Sequence, residues 1–144
     1  MKNPSKYIRK AYLTLLADIG VPIYDRRVPK DVTPIPATRV IISSQTNSPS
    51  SQTNCGRGWT CSILLDIINE QPTGFVNSAT IDDIEELISN RIDLWTASHT
   101  DISIPPFTVY QTNFSDSHDI EIETQTVTIA RRVVRYTHRL NGLD

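Results

Sequence analysis

Cysteine and glycine are both scarce in this chain, two and five in 144 residues, and no apolar run exceeds short triplets such as Val40-Ile41-Ile42. Each shortage excludes something. Cys55 and Cys61 stand six apart around Gly56-Arg57-Gly58-Trp59, which is neither a C-x-x-C redox pair nor half of a zinc site. They read as free thiols, with a short-loop disulfide or a metal role as the alternatives. Glycine-rich phosphate loops are missing, since Gly56-Arg57-Gly58 alone is too short and no Walker loop occurs. Nothing approaches the roughly 18 to 20 apolar residues of a membrane span. The opening segment MKNPSKYIRKAYLTLLADIG carries charges on both sides of Tyr7-Ile8 and lacks an export signal's unbroken apolar core and cleavage site. The chain is therefore expected to stay in the compartment where it is made. His99, His118 and His138 lie beside no second ligand at helical or hairpin spacing, so neither metal nor cofactor is expected.

An excess of one charge is also lacking: 14 basic and 16 acidic side chains give a net charge of -2. That excludes a generally basic nucleic-acid coat or an acidic tail as the whole protein. The balance hides segregation. Residues 1–57 hold nine bases and three acids, residues 58–130 one base and twelve acids, and residues 131–144 four bases and one acid. If folding keeps these segments on separate surfaces, one subunit presents complementary faces to a neighbour; if folding interleaves them, the signs mix.

At this length a single domain, residues 1–144, is expected to bury a core without metal or disulfide staples. Tyr7, Ile8, Ala11, Tyr12, Leu15, Leu16 and Ile19 recur at helical spacing, with Ser5 as N-cap and Gly20 beyond the last turn. Pro22-Ile23-Tyr24-Asp25 is short and extended, and Pro29, Pro34 and Pro36 make 26–38 a stiffened loop. Arg39–Thr46 and Trp59–Ile68 read as strands, separated by an exposed polar loop over 47–58. Leu64 and Ile68 fall on the second face of the Trp59 strand, which suggests cover on both sides. Thr80 opens a second helix, with Ile81, Ile84, Leu87, Ile88, Ile92 and Trp95 as its stripe and Asp82, Asp83 and Glu85 in its first turns. After Pro105-Pro106 comes a strand over 107–112, a turn over 113–119, and a last element from Ile120 to His138 with a bulge or bend near Gln125. The fold class expected is α+β: an antiparallel sheet of four to five strands with two helices packed on one face.

Catalytic motifs are mostly absent, with no G-x-S-x-G and no H-E-x-x-H. Asp82, Asp83, Glu85 and Glu86 could hold metal ions as in nucleases, but acids at a helix start ordinarily serve capping and solubility. Asp116, His118 and Asp119 with Ser115 and Ser117 imitate a triad only in a list, because local neighbours rarely point at one another. Arg131, Arg132, Arg135 and Arg139 with His138 are more informative. On a strand, Arg131 and Arg135 share one face and Arg132 and His138 the other. Three readings stand: a charged edge strand, ion pairs between subunits, or contact with nucleic acid.

The order of elements, with Leu15-Leu16-Ala17-Asp18-Ile19-Gly20 closing the first helix, Val21-Pro22-Ile23-Tyr24-Asp25 and then Val28-Pro29, has a familiar form. A Val40-Ile41-Ile42 strand, a Trp-led strand, an Ile84-Glu85-Glu86-Leu87-Ile88 helix and a last strand through Arg132-Val133-Val134-Arg135-Tyr136 complete it. Over nearly the whole chain this resembles the tail-completion and tail-terminator proteins of tailed bacteriophages and related head-to-tail joining proteins. The resemblance implies a non-enzymatic virion protein of the neck or tail, without cofactor, assembled in the bacterial host cytoplasm. It implies a homo-oligomeric ring, most often a hexamer with a dodecamer as the other count, meeting tail-tube, connector or portal-adaptor proteins and in reach of lumenal DNA. The 47–58 loop and 113–119 turn would then project as contacts, and Arg57, Trp59, Asp116, His118, Arg131, Arg132, Arg135 and Arg139 become the candidate contact residues. The 26–38 and 47–58 segments are longer than the family leads one to expect. A stopper ring from a short-tailed phage, a small nucleic-acid-binding domain, and an adaptor of another contractile or secretion machine are the competing readings.

Overall fold

Apolar side chains alternate with period two most strictly over 59–67 and 134–140, and these runs form the centre of a five-stranded sheet. The computed structural model describes residues 3–53, 56–72, 79–92 and 104–142, with backbone only for 50–53, 56 and 57. The elements are α1 (Ser5–Leu15), β1 (Ile23–Asp25), β2 (Thr38–Thr53), β3 (Gly56–Pro72), α2 (Ala79–Ile92), β4 (Thr108–Glu123) and β5 (Val127–Gly142). Strand order across the sheet is β1-β2-β3-β5-β4. Every pairing is antiparallel except β1 with β2, which is parallel, so the sheet is mixed.

On β3, Cys61, Ile63, Leu65 and Ile67 point to one face, and their partners on β5 are His138, Tyr136, Val134 and Arg132. That face carries the helices and the core. Ile8 and Tyr12 from α1, Leu16 at its C-cap, and Ile81, Ile84, Ile88 and Ile92 from α2 are buried against it. Leu87, expected in the apolar stripe of α2, is instead 42% exposed. Its position lies off the line of isoleucines three, four and four residues apart, which suffices to cover β3. Trp95 lies outside the described residues.

The helix starts also differ from expectation. Pro4 is the N-cap of α1 and contributes no side-chain bond; the Ser5 amide donates to Asn3 Oδ1 at 2.9 Å. Ser5 Oγ accepts from Asn47 Nδ2 at 2.5 Å, tying α1 to β2. Gly20 does close the helical segment, with φ of 86° in the left-handed region glycine tolerates.

The opposite face bears no helix among the described residues, yet Ile68 and Asp66 are buried there. Ile68 sits in register between Arg39 and Arg131, whose long stems cover it while their charged ends find Glu70 and Asp66.

Two loop expectations and one strand expectation are overturned. Residues 47–53 and 56–58 continue β2 and β3 as a long hairpin; backbone pairing to β3, not an apolar face, holds the tip. Residues 113–119 are mid-strand in β4, paired to β5 throughout. The phase change near Gln125 marks a hairpin turn between β4 and β5, closed by the Thr124 amide on the Val127 carbonyl at 2.8 Å.

Candidate interaction surface

The basic stretch of β5 splits between the two faces as the strand period requires. Arg132 lies on the helix face, opposite Asp119 of β4. Its Nε donates to Asp119 Oδ1 at 2.7 Å, and its Nη1 donates to Glu85 Oε2 at 2.8 Å and to Asp82 Oδ1. One guanidinium thus ties α2 to the outer strand. The Asp119 hydrogen bond, with those to Asp82 and Glu85, holds its pKa above the usual arginine range. Arg131, on the helix-free face, engages the buried Asp66 through two bonds, Nε to Oδ1 at 3.3 Å and Nη2 to Oδ2. That pairing likewise raises its pKa. Both arginines are therefore committed within their own chain, and two of the helix acids, Asp82 and Glu85, are ion-pair partners of Arg132.

Arg135 is looser, 3.8 Å from Asp116 across β5 and β4. Arg139 and His118 are exposed. Trp59 is half-buried against the core, and Arg57 pairs through its backbone with Gln52 and Gly142, while its side chain lies outside the described residues.

The triad-like group is dispersed by the strand. Asp116 and His118 face away from the helices opposite Arg135 and Val133, whereas Asp119 faces Arg132. Ser115 is bonded to Thr137 at 2.6 Å. No nucleophile, base and acid converge there. An open cleft of about 570 Å³ between α2 and β4 is lined by Asp82, Glu85, Glu86, Ser89, Thr112, Asn113 and Phe114, and it contains carboxylates without a histidine or thiol.

A polar group that the sequence places in the basic stretch of the last strand lies instead inside the core. His138 is fully buried, with Nε2 2.5 Å from the Tyr12 hydroxyl and Nδ1 3.0 Å from Thr112 Oγ1. A neutral imidazole offers one donor and one acceptor, and the two hydroxyls satisfy both. Burial pushes its pKa down to about 4 and that of the Tyr12 phenol up. The available signal was a histidine in phase with Val134, Tyr136 and Leu140. Cys61 is a free thiol in the same core, pushed up to about 12 by burial; Cys55 lies outside the described residues.

The surface that remains is the outer strand and the opposite margin. From Asn113 to Glu123 every side chain of β4 is exposed. At the other margin β1 pairs with Val40–Ile42 of β2, and among the described residues no strand lies beside Ser43 onward. No helix of the described residues is long and apolar enough to cross a membrane.

No protein-family model matches the chain. No curated protein matches its sequence. Among solved structures it is similar to a chain of the virion of a native gene transfer agent particle, at 16% identity and a TM-score of 0.64. The match covers 96% of this chain and 92% of that one. At that identity the likeness establishes a shared α+β fold.

Proposed function

We propose that this chain is a structural subunit of a phage-like virion, a ring component at the head-to-tail junction that acts as a tail terminator or tail-completion protein. The observation that carries this reading is the end-to-end fold likeness to a virion chain, which leaves little of either chain unmatched. The dispersal of the triad-like side chains and the commitment of Asp82 and Glu85 to Arg132 support a role without catalysis. The two long hairpins and two open sheet margins support one built on contacts between chains. The whole chain serves as one ring-forming domain, assembled in the bacterial cytoplasm and then resident in the virion beside tail-tube or connector proteins. Nucleic-acid binding through β5 is the weaker reading, because Arg131 and Arg132 already hold carboxylates. Light scattering followed by particle imaging tests the proposal. A discrete ring is expected; a strictly monomeric protein with metal-dependent nuclease activity overturns it.

A further inference from the structure

The two margins of the sheet differ in charge and match in height. The outer margin, β4, carries Asp116, Asp119, Glu121 and Glu123 and no Lys or Arg. The opposite margin is formed by β1, the open part of β2 and the 26–37 loop, which bears Arg26, Arg27 and Lys30 against the single acid Asp31. Asp25 there is held by Arg9 at 3.5 Å, and among the described residues the three loop bases pair with no carboxylate.

Register fixes how these margins compare. The Arg26 amide is bonded to the Ile42 carbonyl and the Glu70 amide to the Ala37 carbonyl, at 2.9 and 2.8 Å. Ile42 lies in one row with Leu65, Val134 and Ser117, and Glu70 in one row with Ile129 and Ile122. The two ends of the basic loop thus lie at the rows of Ser117 and Ile122, which bracket Asp119 and Glu121 on the far side. Farther along, Ser44 shares a row with Leu64, Arg135 and Asp116, and Thr46 with Ser62, Thr137 and Asn113. There, from Asn113 to Asp116 on one margin and from Ser44 to Thr46 on the other, no strand among the described residues pairs with either outer edge.

Direction agrees as well. β4 runs antiparallel to β5, β5 to β3 and β3 to β2, so β4 runs opposite to β2. A second copy placed side by side in the same orientation brings its β2 edge antiparallel to β4 of the first. Apolar surface has the same distribution. Of the six exposed large apolar side chains among the described residues, Tyr110, Phe114, Ile120 and Ile122 lie on β4 and Ile35 lies on the loop.

We infer that β4 of one copy docks against the β2 edge and 26–37 loop of the next, in a head-to-tail contact between two copies of this chain. This rests on the ring reading above and names the surfaces that make the ring. The charges select the geometry. Two β4 edges brought together would oppose acid to acid, which disfavours a two-fold dimer, whereas head-to-tail contact opposes acid to base and closes by rotation. The basic partner of the acidic margin is accordingly the 26–30 segment, with Arg131 and Arg132 of β5 retained for internal pairing.

Charge exchange tests it. Glu121→Lys with Glu123→Lys, and separately Arg27→Glu with Lys30→Glu, should each keep the thermal midpoint and lose the oligomer at concentrations where the parent chain is assembled. A chain carrying all four substitutions, or a mixture of the two variants, should reassemble. Loss without recovery in either would show that these margins do not meet and overturn the inference. Variants that assemble like the parent would overturn it too, leaving the ring reading intact. A parent chain that stays monomeric would remove both. If a reversal fails to fold, Glu121→Gln with Glu123→Gln reads the same contact as weakened assembly, and parent-like assembly of that chain overturns it.

Discussion

β4 and β5 have 16 residues each and are paired along their whole run, yet they differ in almost every other respect. In β5, Val134, Tyr136, His138 and Leu140 are buried beneath the helices; in β4 nothing beyond Thr112 is even half-buried. The neighbour one strand inward makes the difference. β5 is flanked by β3 and lies under the helix layer, whereas β4 has, among the described residues, a partner strand on one side only. β5 is thus a folding element whose alternation is set by the core, and β4 is a surface element free to carry Ser, Asp and His. Under the proposal above, β4 is the surface used for assembly.

The largest expected contrast is between truncations in the two strands. Leu140→Ala should cost about 2–5 kcal/mol, the range for a fully buried leucine, and Ile122→Ala on β4 about 0.5 kcal/mol or less. Denaturant titration of both variants measures it; equal losses would erase the distinction.

Acid sensitivity sharpens it from the buried side. His138 is neutral in the folded chain down to about pH 4, while an unfolded histidine takes up its proton near 6.5. The unfolded state therefore binds more protons between those values, and stability falls as pH drops from about 6.5 to about 4. The loss is on the order of 3 kcal/mol and levels off below that window. His138→Gln, which retains a donor and an acceptor for Tyr12 and Thr112, should flatten that part of the profile.

A smaller effect is expected where the two regions join. Arg132→Ala removes the link between α2 and β4 and should cost about 1–2 kcal/mol, because the side chain is only 13% exposed and holds three carboxylates. Arg135→Ala, at a longer and more exposed pair, should change thermal stability by about 0.5 kcal/mol or less. Thermal unfolding at two salt concentrations separates these, with the Arg132 effect the less screened.

The same contrast explains what could be read from the sequence. Helical stripes and buried alternation come from the core, so α1, α2, β3 and the Val134 to Leu140 run of β5 were legible, and with them the α+β class. The tip of the β2–β3 hairpin and most of β4 were not. Their strands are held by backbone bonds to a neighbour, so Asn47-Ser48-Pro49 and Ser115-Asp116-Ser117 carry the side chains of a turn while lying in a ladder. The phase change at Gln125 was a true signal, of a hairpin turn between two strands where a bulge or bend within one was expected. For the candidate contacts, the sequence showed the bases of β5 but not their partners. Asp66 is 65 residues from Arg131 and Asp82 50 from Arg132; strand register brings the first pair together and the packing of α2 on the sheet the second.

Amide hydrogen exchange on peptides covering 113–123 and 130–140, in the assembled particle and in the dissociated chain, tests the division of labour directly. The account predicts that the β5 peptide is protected in both states and that the β4 peptide gains protection only on assembly, as its outer edge acquires hydrogen bonds from a neighbouring copy. Equal exchange of the β4 peptide in the two states would contradict it.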